Sequence, residues 1–125
     1  MGILLWWYSP LALDLAWPLR APLTFLLLAL IYPVLEELVF RGALQGALTR
    51  QTWGGRKLGP ISLANFFTSL VFAGLHLFYH APLWAALVFL PSLIFGYFRD
   101  RHQSVRPAVV LHVVYNTGYF WLFPP

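Results

Sequence analysis

The sequence contains no cysteine and very few charged residues. The absence of cysteine excludes a disulfide-stabilised scaffold, a zinc site built on thiolates and a cysteine nucleophile. Only 10% of the 125 residues are charged, while 60% are hydrophobic and 18% aromatic. A soluble domain is about 25% charged and about 45–50% apolar. This chain cannot cover its surface with polar groups, so its composition excludes a disordered protein and favours a membrane protein.

Positive charge is present but dispersed. Eight Lys and Arg residues against four Asp and Glu residues give a net charge of +4. The basic residues lie at the ends of apolar segments, which is typical of membrane proteins and gives no indication of nucleic-acid binding. The first basic residue is Arg20, so we expect no cleaved signal peptide, because no positive region precedes the first apolar run.

Long stretches without charge indicate the membrane helices. No Asp, Glu, Lys or Arg occurs in the 41 residues between Lys57 and Arg99, which is room for two helices of about 20 residues each. Pro82 divides this stretch, because proline disfavours helix at the residue before it. The predicted helices are near 61–80, 82–98, 107–125 and 21–40, the last extending towards 42–52.

The fold class predicted from these segments is all-α: a polytopic transmembrane helix bundle of about 4–5 membrane-embedded helices. Residues 3–19 form either the fifth span or an interfacial segment. One domain covers 1–125, with its motif-bearing core over about 21–123. The basic loops 50–57 and 99–106 are separated by two spans and lie in the cytoplasm by the positive-inside rule. We therefore predict a multi-pass protein of the cell membrane, with lipid as its surroundings.

Two acids and a base fall inside one apolar segment, where each ionised group costs about 2.5–3.5 kcal/mol at a helix centre. Glu37 and Arg41 are four residues apart, so they share a helix face and can form an ion pair. Glu36 is turned about 100° away and has no local partner. A carboxyl of this kind is a candidate general acid or base. Glu37 and Arg41 are more simply explained as a structural pair.

Two further polar clusters lie on separate helices. Phe72 and His76 are four residues apart, with His80 one turn later, and His112 and Asn116 show the same spacing of four. Each histidine taken singly is more simply an interhelical hydrogen-bonding partner. Polar groups on three membrane helices nevertheless converge inside a bundle, because lipid leaves them unsatisfied. The three clusters together therefore predict a site.

The order and spacing of these motifs resemble the CPBP family, which comprises the CAAX-type prenyl-protein proteases of the second kind and the bacterial Abi proteins. The resemblance covers residues 33 to 118. It rests on Glu36-Glu37 with Arg41, on Phe72 with His76, and on His112 with Asn116. The stretch 91–101 also resembles a bacterial subfamily associated with C-terminal protein-sorting signals.

The resemblance implies an intramembrane endopeptidase that depends on glutamate and uses no cofactor or metal. Glu36 would activate a water molecule, and His76 would help to bind that water and shuttle protons. His112 and Asn116 would stabilise the oxyanion or complete the water site. Supporting roles would fall to Glu37, Arg41 and Phe72. The implied substrate is a membrane-anchored protein or peptide, a C-terminal sorting tail being one example.

Two other functions stay open from the sequence. Glu36, His76, His80 and His112 offer ligand types that zinc accepts, although the glutamate of a His-Glu-x-x-His helix is absent between the two neighbouring histidines. The second alternative is a non-enzymatic immunity or partner-binding protein of the same fold.

The predicted helix boundaries place His76 and His112 at different depths in the membrane, although the predicted site needs them close together. If a helix begins at residue 61, His76 lies roughly 22 Å along it, whereas His112 lies only roughly 8 Å past Pro107. Three explanations are open: residues 61–67 lie outside the hydrocarbon layer, the helices are tilted, or the predicted boundaries are inaccurate. We favour the first.

Overall fold

The computed structural model describes residues 14–125, so most of the predicted N-terminal segment 3–19 lies outside the described residues. The described part is mostly helical. Its helices are α1 (Trp17–Arg20), α2 (Pro22–Thr49), α3 (Leu63–His76), α4 (Pro82–His102) and α5 (Arg106–Leu122). A two-stranded antiparallel hairpin, β1 (Lys57–Leu58) and β2 (Ile61–Ser62), pairs Lys57 with Ser62 and Leu58 with Ile61.

Two helices of the described part are long and apolar enough to cross a membrane, judged by length and composition. These are α2 with 28 residues and α4 with 21. Helix α3 is apolar but has 14 residues, about 21 Å at 1.5 Å per residue, against a hydrocarbon layer about 30 Å thick. The helical fold is confirmed, and the number of spans stays a prediction.

The predicted helix over 61–80 is wrong at both ends. The Gly59-Pro60 turn closes the hairpin, and Gly59 has the positive φ of 61° that such a turn requires. Ser62 then caps α3, since its extended backbone lets the hydroxyl accept from the backbone N–H of Asn65 at 3.1 Å. The helix ends at His76, after which the chain turns through tight i to i−3 bonds.

Helix α4 is longer than the predicted 82–98. The sequence prediction ended it before the charged residues, but the helix continues one further turn to His102. Gln103 terminates it with a left-handed backbone at φ 50°, and its side-chain amide donates to the Asp100 carbonyl at 2.7 Å. The added turn includes Asp100, a partly buried residue whose carboxylate accepts from Ser62 Oγ at 2.6 Å.

Helix α2 changes packing partners along its length. Its first half, through Glu37, packs against α5, whereas the half from Leu38 to Thr49 packs against α3. Helix α4 lies between α3 and α5 and contacts both. Two stretches of α2 are wound as wider π turns, Leu27–Ile31 and Leu38–Leu44. All four long helices therefore meet near the middle of α2, where the acidic motif lies.

Helices α3 and α4 pack more extensively on each other than any other pair of described elements. Gly96 allows this close approach, because a Cβ atom at that position would overlap the side-chain amide of Asn65. The amide itself donates to the Leu93 carbonyl at 2.9 Å. The interhelical hydrogen bond therefore requires a residue without a Cβ atom at position 96.

We expect Gly96→Ala to lower the free energy of unfolding by about 1–3 kcal/mol, since the added methyl must displace a buried, hydrogen-bonded amide. Gly74→Ala is the matched control, because a Cβ at that helical glycine meets no atom within 4 Å in the described residues. It should leave stability unchanged or raise it by about 0.5–1 kcal/mol. Thermal unfolding in detergent micelles, followed by tryptophan fluorescence, measures both. Equal effects of the two substitutions would contradict the packing argument.

Candidate active site

The two adjacent glutamates lie in different environments. Glu37 and Arg41 have fully buried side chains, and Arg41 Nη1 donates to Glu37 Oε1 at 3.1 Å. The ion pair predicted from their spacing is confirmed. The Glu36 side chain keeps 36% of its surface exposed. The carboxylate of Glu36 is therefore accessible, whereas that of Glu37 is sealed inside the bundle.

His112 lies between the two carboxylates. Its Nδ1 is 2.7 Å from Glu37 Oε1, and its Nε2 is 3.6 Å from Glu36 Oε2. A carboxylate paired with arginine only accepts hydrogen bonds, so the proton of this contact lies on Nδ1. Glu37 thus fixes the ring orientation and directs Nε2 towards Glu36, a contact that links positions 75 residues apart in the chain.

His76 is held in the same tautomer by a different acceptor. Its Nδ1 is 2.7 Å from the Phe72 carbonyl, one turn earlier on α3. A carbonyl oxygen only accepts, so Nδ1 carries the proton and the neutral ring keeps a bare Nε2. The Phe72 ring lies next to both histidine rings, with centroid distances of 4.6 Å to His76 and 6.1 Å to His112. The two histidines therefore lie on either side of one phenylalanine, whereas the depths counted along idealised helices placed them far apart.

Two phenylalanines enclose these polar groups. The Phe95 ring stacks on His112 with centroids 4.8 Å apart, and Phe72 meets the same ring edge-on at 6.1 Å. The Arg41 guanidinium lies over both phenyl rings, 4.9 Å from Phe72 and 5.6 Å from Phe95. These rings exclude solvent on the buried side and support the cation through its π-face contacts.

Asn116 is engaged with helix α2 rather than with the carboxylates in this structure. Its Nδ2 donates to the Leu28 carbonyl at 3.0 Å. Leu28 lies in a π turn, in which Tyr32 N–H bonds back five residues to Leu27. The equivalent partner for Leu28 is Pro33, which has no N–H. Asn116 therefore supplies the donor that the proline lacks.

The predicted site did not include Phe95 or several buried polar side chains around Arg41. The polar side chains could have been found from their helical spacing. Intervals of three and four residues separate Ser62, Asn65 and Ser69, which lie at the start of α3 and along it. All three are buried. A stripe of small polar residues on an otherwise apolar helix indicates a face turned towards another polar group, because lipid would leave the stripe unsatisfied.

His80 lies beyond the end of α3 and is exposed. Its ring stacks on that of His76 with centroids 5.8 Å apart, and it meets the Trp84 ring at 5.3 Å with the two planes tilted by 39°. Within residues 14–125, no group of three or more His, Asp or Glu side chains is arranged to hold a metal ion. The zinc alternative therefore finds no preformed ligand set in the part of the chain that the structure describes.

Comparison with known families identifies one match. The family model described as type II CAAX prenyl endopeptidase Rce1-like matches residues 18–118. That range includes both glutamates, both site histidines and Asn116. Neither the curated proteins nor the solved structures gave a match.

The contrast between the two glutamates makes a prediction about stability. Glu37→Gln leaves the buried Arg41 without its counter-charge and should cost about 3–5 kcal/mol of unfolding free energy. Glu36→Gln alters a partly exposed carboxylate and should change it by less than about 1 kcal/mol. Thermal unfolding of the two variants in the same detergent measures the difference. A larger loss with Glu36→Gln would reverse the assignment of the structural carboxylate.

Proposed function

Because the chain belongs to the Rce1-like family of type II CAAX prenyl endopeptidases, a family of membrane proteases, we propose that it cleaves membrane-anchored substrate proteins inside the membrane. The scissile peptide bond lies near the C-terminal region of the substrate. Glu36 is the base that activates the attacking water. The observation that carries the proposal is the open gap between Glu36 and the Nε2 atom of His112, beside a neighbouring glutamate that is sealed and charge-paired.

A water molecule can bond to both atoms from beside the line that joins them. A separation of 3.6 Å between Glu36 Oε2 and His112 Nε2 is too long for a direct hydrogen bond, and such polar separations are commonly bridged by water. Water donates two hydrogen bonds, and both facing atoms accept when the ring is neutral. The carboxylate can then take one proton as the water oxygen attacks the peptide carbonyl carbon.

Attack converts the carbonyl into a tetrahedral oxyanion, which needs donors. His112 becomes such a donor when Glu36 passes the proton taken from the water to its Nε2, since Nδ1 stays committed to Glu37. The proton accepted by Glu36 then passes to the leaving amide nitrogen, directly or through Nε2 of His76, and the carbon–nitrogen bond breaks. One N–H of the Asn116 amide is occupied by the Leu28 carbonyl, so Asn116 would donate to the oxyanion through its second N–H.

The proposed substrate is a protein tail with a hydrophobic segment and a basic end, such as a C-terminal sorting signal. The apolar outer surface of the described helices fits a substrate that arrives through lipid. Apolar side chains such as Val110 and Val114 remain more than half exposed there. Both basic loops, 50–57 and 99–106, lie on the cytoplasmic side in this proposal. A non-enzymatic partner-binding protein of the same fold is the alternative that the experiment below separates from it.

Glu36→Gln should abolish cleavage while the protein still accumulates in the membrane. Removal of a general base costs at least roughly 100-fold in rate, and the amide keeps the shape of the carboxylate. Wild type and variant are expressed in the native host at matched membrane abundance. Mass spectrometry then compares the C-termini of membrane proteins. Loss of hydrophobic tails from a small set of proteins with the wild type alone is the expected result.

Gly74→Ala is the control for expression and handling, because it changes an open helical position outside the site. It should cut as the wild type does, and strong chelators should leave the cutting unchanged. Identical C-termini with wild type and Glu36→Gln, combined with a phenotype on deletion, would favour the partner-binding function. Loss of cutting on chelation would favour the zinc alternative.

A further inference from the structure

The Arg41 guanidinium is anchored on the side away from Glu37. Its Nη2 donates to the Ser92 carbonyl oxygen at 2.6 Å and also contacts the Ser92 hydroxyl. Both residues are completely buried. Ser92 on α4 therefore presents two oxygen atoms to one edge of the cation, while Glu37 occupies another edge.

The direction of the hydrogen bonds beyond Ser92 follows from the chemistry of arginine. A guanidinium has five donors and no acceptor, so the Ser92 hydroxyl must accept from it and send its own proton elsewhere. Ser69 Oγ on α3 receives that proton at 2.9 Å. Ser69 in turn donates to Asn65 Oδ1 at 3.1 Å. Each hydroxyl has one allowed orientation, and all of them point away from Arg41.

Asn65 ends this hydrogen-bonded chain on rigid groups. Its Nδ2 donates to the Leu93 carbonyl at 2.9 Å, which fixes the amide so that Oδ1 faces Ser69. The side chain fits into the space left by Gly96. Its backbone N–H is held by the capping Ser62, whose hydroxyl donates to Asp100. We call Asn65, Ser69 and Ser92 the anchor chain.

One oxygen atom of Glu37 links the position of Arg41 to that of His112. Glu37 Oε1 accepts from both Arg41 Nη1 and His112 Nδ1. The other oxygen, Oε2, is buried and has no hydrogen-bond partner among residues 14–125. With only one oxygen engaged, the orientation of the Glu37 carboxylate depends on Arg41, and the tautomer of His112 depends on that orientation.

We propose that Ser69 and Ser92 are positioning residues for the reaction. They act through Arg41 and Glu37 to hold His112 with its proton on Nδ1 and its Nε2 towards Glu36. This inference rests on the proposed function, in which Nε2 of His112 acts at the reacting centre. A purely structural role would affect the stability of the bundle and leave the His112 ring unchanged.

Three buried hydroxyls allow a matched test. Ser92→Ala removes the side-chain acceptor of Arg41 but keeps the backbone carbonyl that also holds it, so the bundle should still fold. Ser69→Ala removes the acceptor of the Ser92 proton one step further away. Thr68→Val is the control, because Thr68 is fully buried on the same helix and its hydroxyl has no hydrogen-bond partner in the described part of the chain.

The first readout is the nitrogen NMR spectrum of the imidazole rings. The full chain is labelled with ¹⁵N-histidine in detergent micelles, and the His112 signals are identified from their absence in His112→Gln. The wild type and Thr68→Val should show one protonated Nδ1 and one bare Nε2. In Ser92→Ala both signals should shift towards the average of the two tautomers, with a smaller shift in Ser69→Ala.

The second readout is the rate at which the cut C-termini appear in the host at matched membrane abundance. Ser92→Ala should slow cutting by roughly 10- to 100-fold, since small misplacements of a reacting group carry penalties of that order. Ser69→Ala should slow it less, and Thr68→Val should match the wild type. A changed spectrum with an unchanged rate, or a changed rate with an unchanged spectrum, overturns the proposal, as does behaviour of Ser92→Ala like that of Thr68→Val.

The failure of this inference differs from the failure of the proposed function. If Glu36→Gln cuts like the wild type, the proposed function is wrong and the rate readout of the serine variants loses its meaning for this site. The NMR spectrum still reports whether the anchor chain orients His112. If Glu36→Gln is inactive and Ser92→Ala is normal in both readouts, only the positioning role is wrong.

Discussion

The burial of Glu37 and Arg41 is the constraint on which the rest of the structure depends. Removing an ion from water costs several kcal/mol even after the protein relaxes, and a single partner seldom repays this cost. The structure surrounds the pair with further polar and aromatic groups. Arg41 also donates to Ser92 and lies over two phenyl rings, and Glu37 also accepts from His112. Three helices besides α2 are thereby held to one buried pair.

The wider turn in α2 is explained by the proline that follows it. A regular helix with a proline at position 33 would bring the pyrrolidine ring against the carbonyl of Ala29. The wider turn over Leu27–Ile31 precedes that proline, and single π turns commonly mark functional sites. The irregularity exposes the Leu28 carbonyl to Asn116 on α5. The irregular turn of α2 therefore provides a hydrogen-bond acceptor for α5, the helix that carries His112.

Local spacing was enough to predict part of this site. The interval of four residues predicted the Glu37–Arg41 pair, and the angle between adjacent residues on a helix predicted that Glu36 would face elsewhere. The bridging position of His112 could not be predicted in this way, because it depends on how α5 packs against α2. Helix depth also failed as a guide, because counting residues assumes that α3 and α5 begin at the same level. The hairpin and the serine cap move the start of α3 by only two residues, from 61 to Leu63. Asn65 and Ser69 of the anchor chain are visible in the sequence as a polar stripe on α3. Their connection to Arg41 could not be predicted, because it runs through Ser92 on α4.

The contacts of His112 with the two carboxylates bear on the proposed hydrolysis. A neutral His112 presents a bare nitrogen to a carboxylate that also only accepts, and two facing acceptors repel unless a donor lies between them. A charged His112 places a proton in the same gap. In the charged state a proton of His112 therefore faces the partly exposed Glu36, while the other ring nitrogen bonds to the buried Glu37. The proposed hydrolysis requires a proton that can move between water, base and leaving group, and a partly exposed carboxylate beside a histidine suits that requirement.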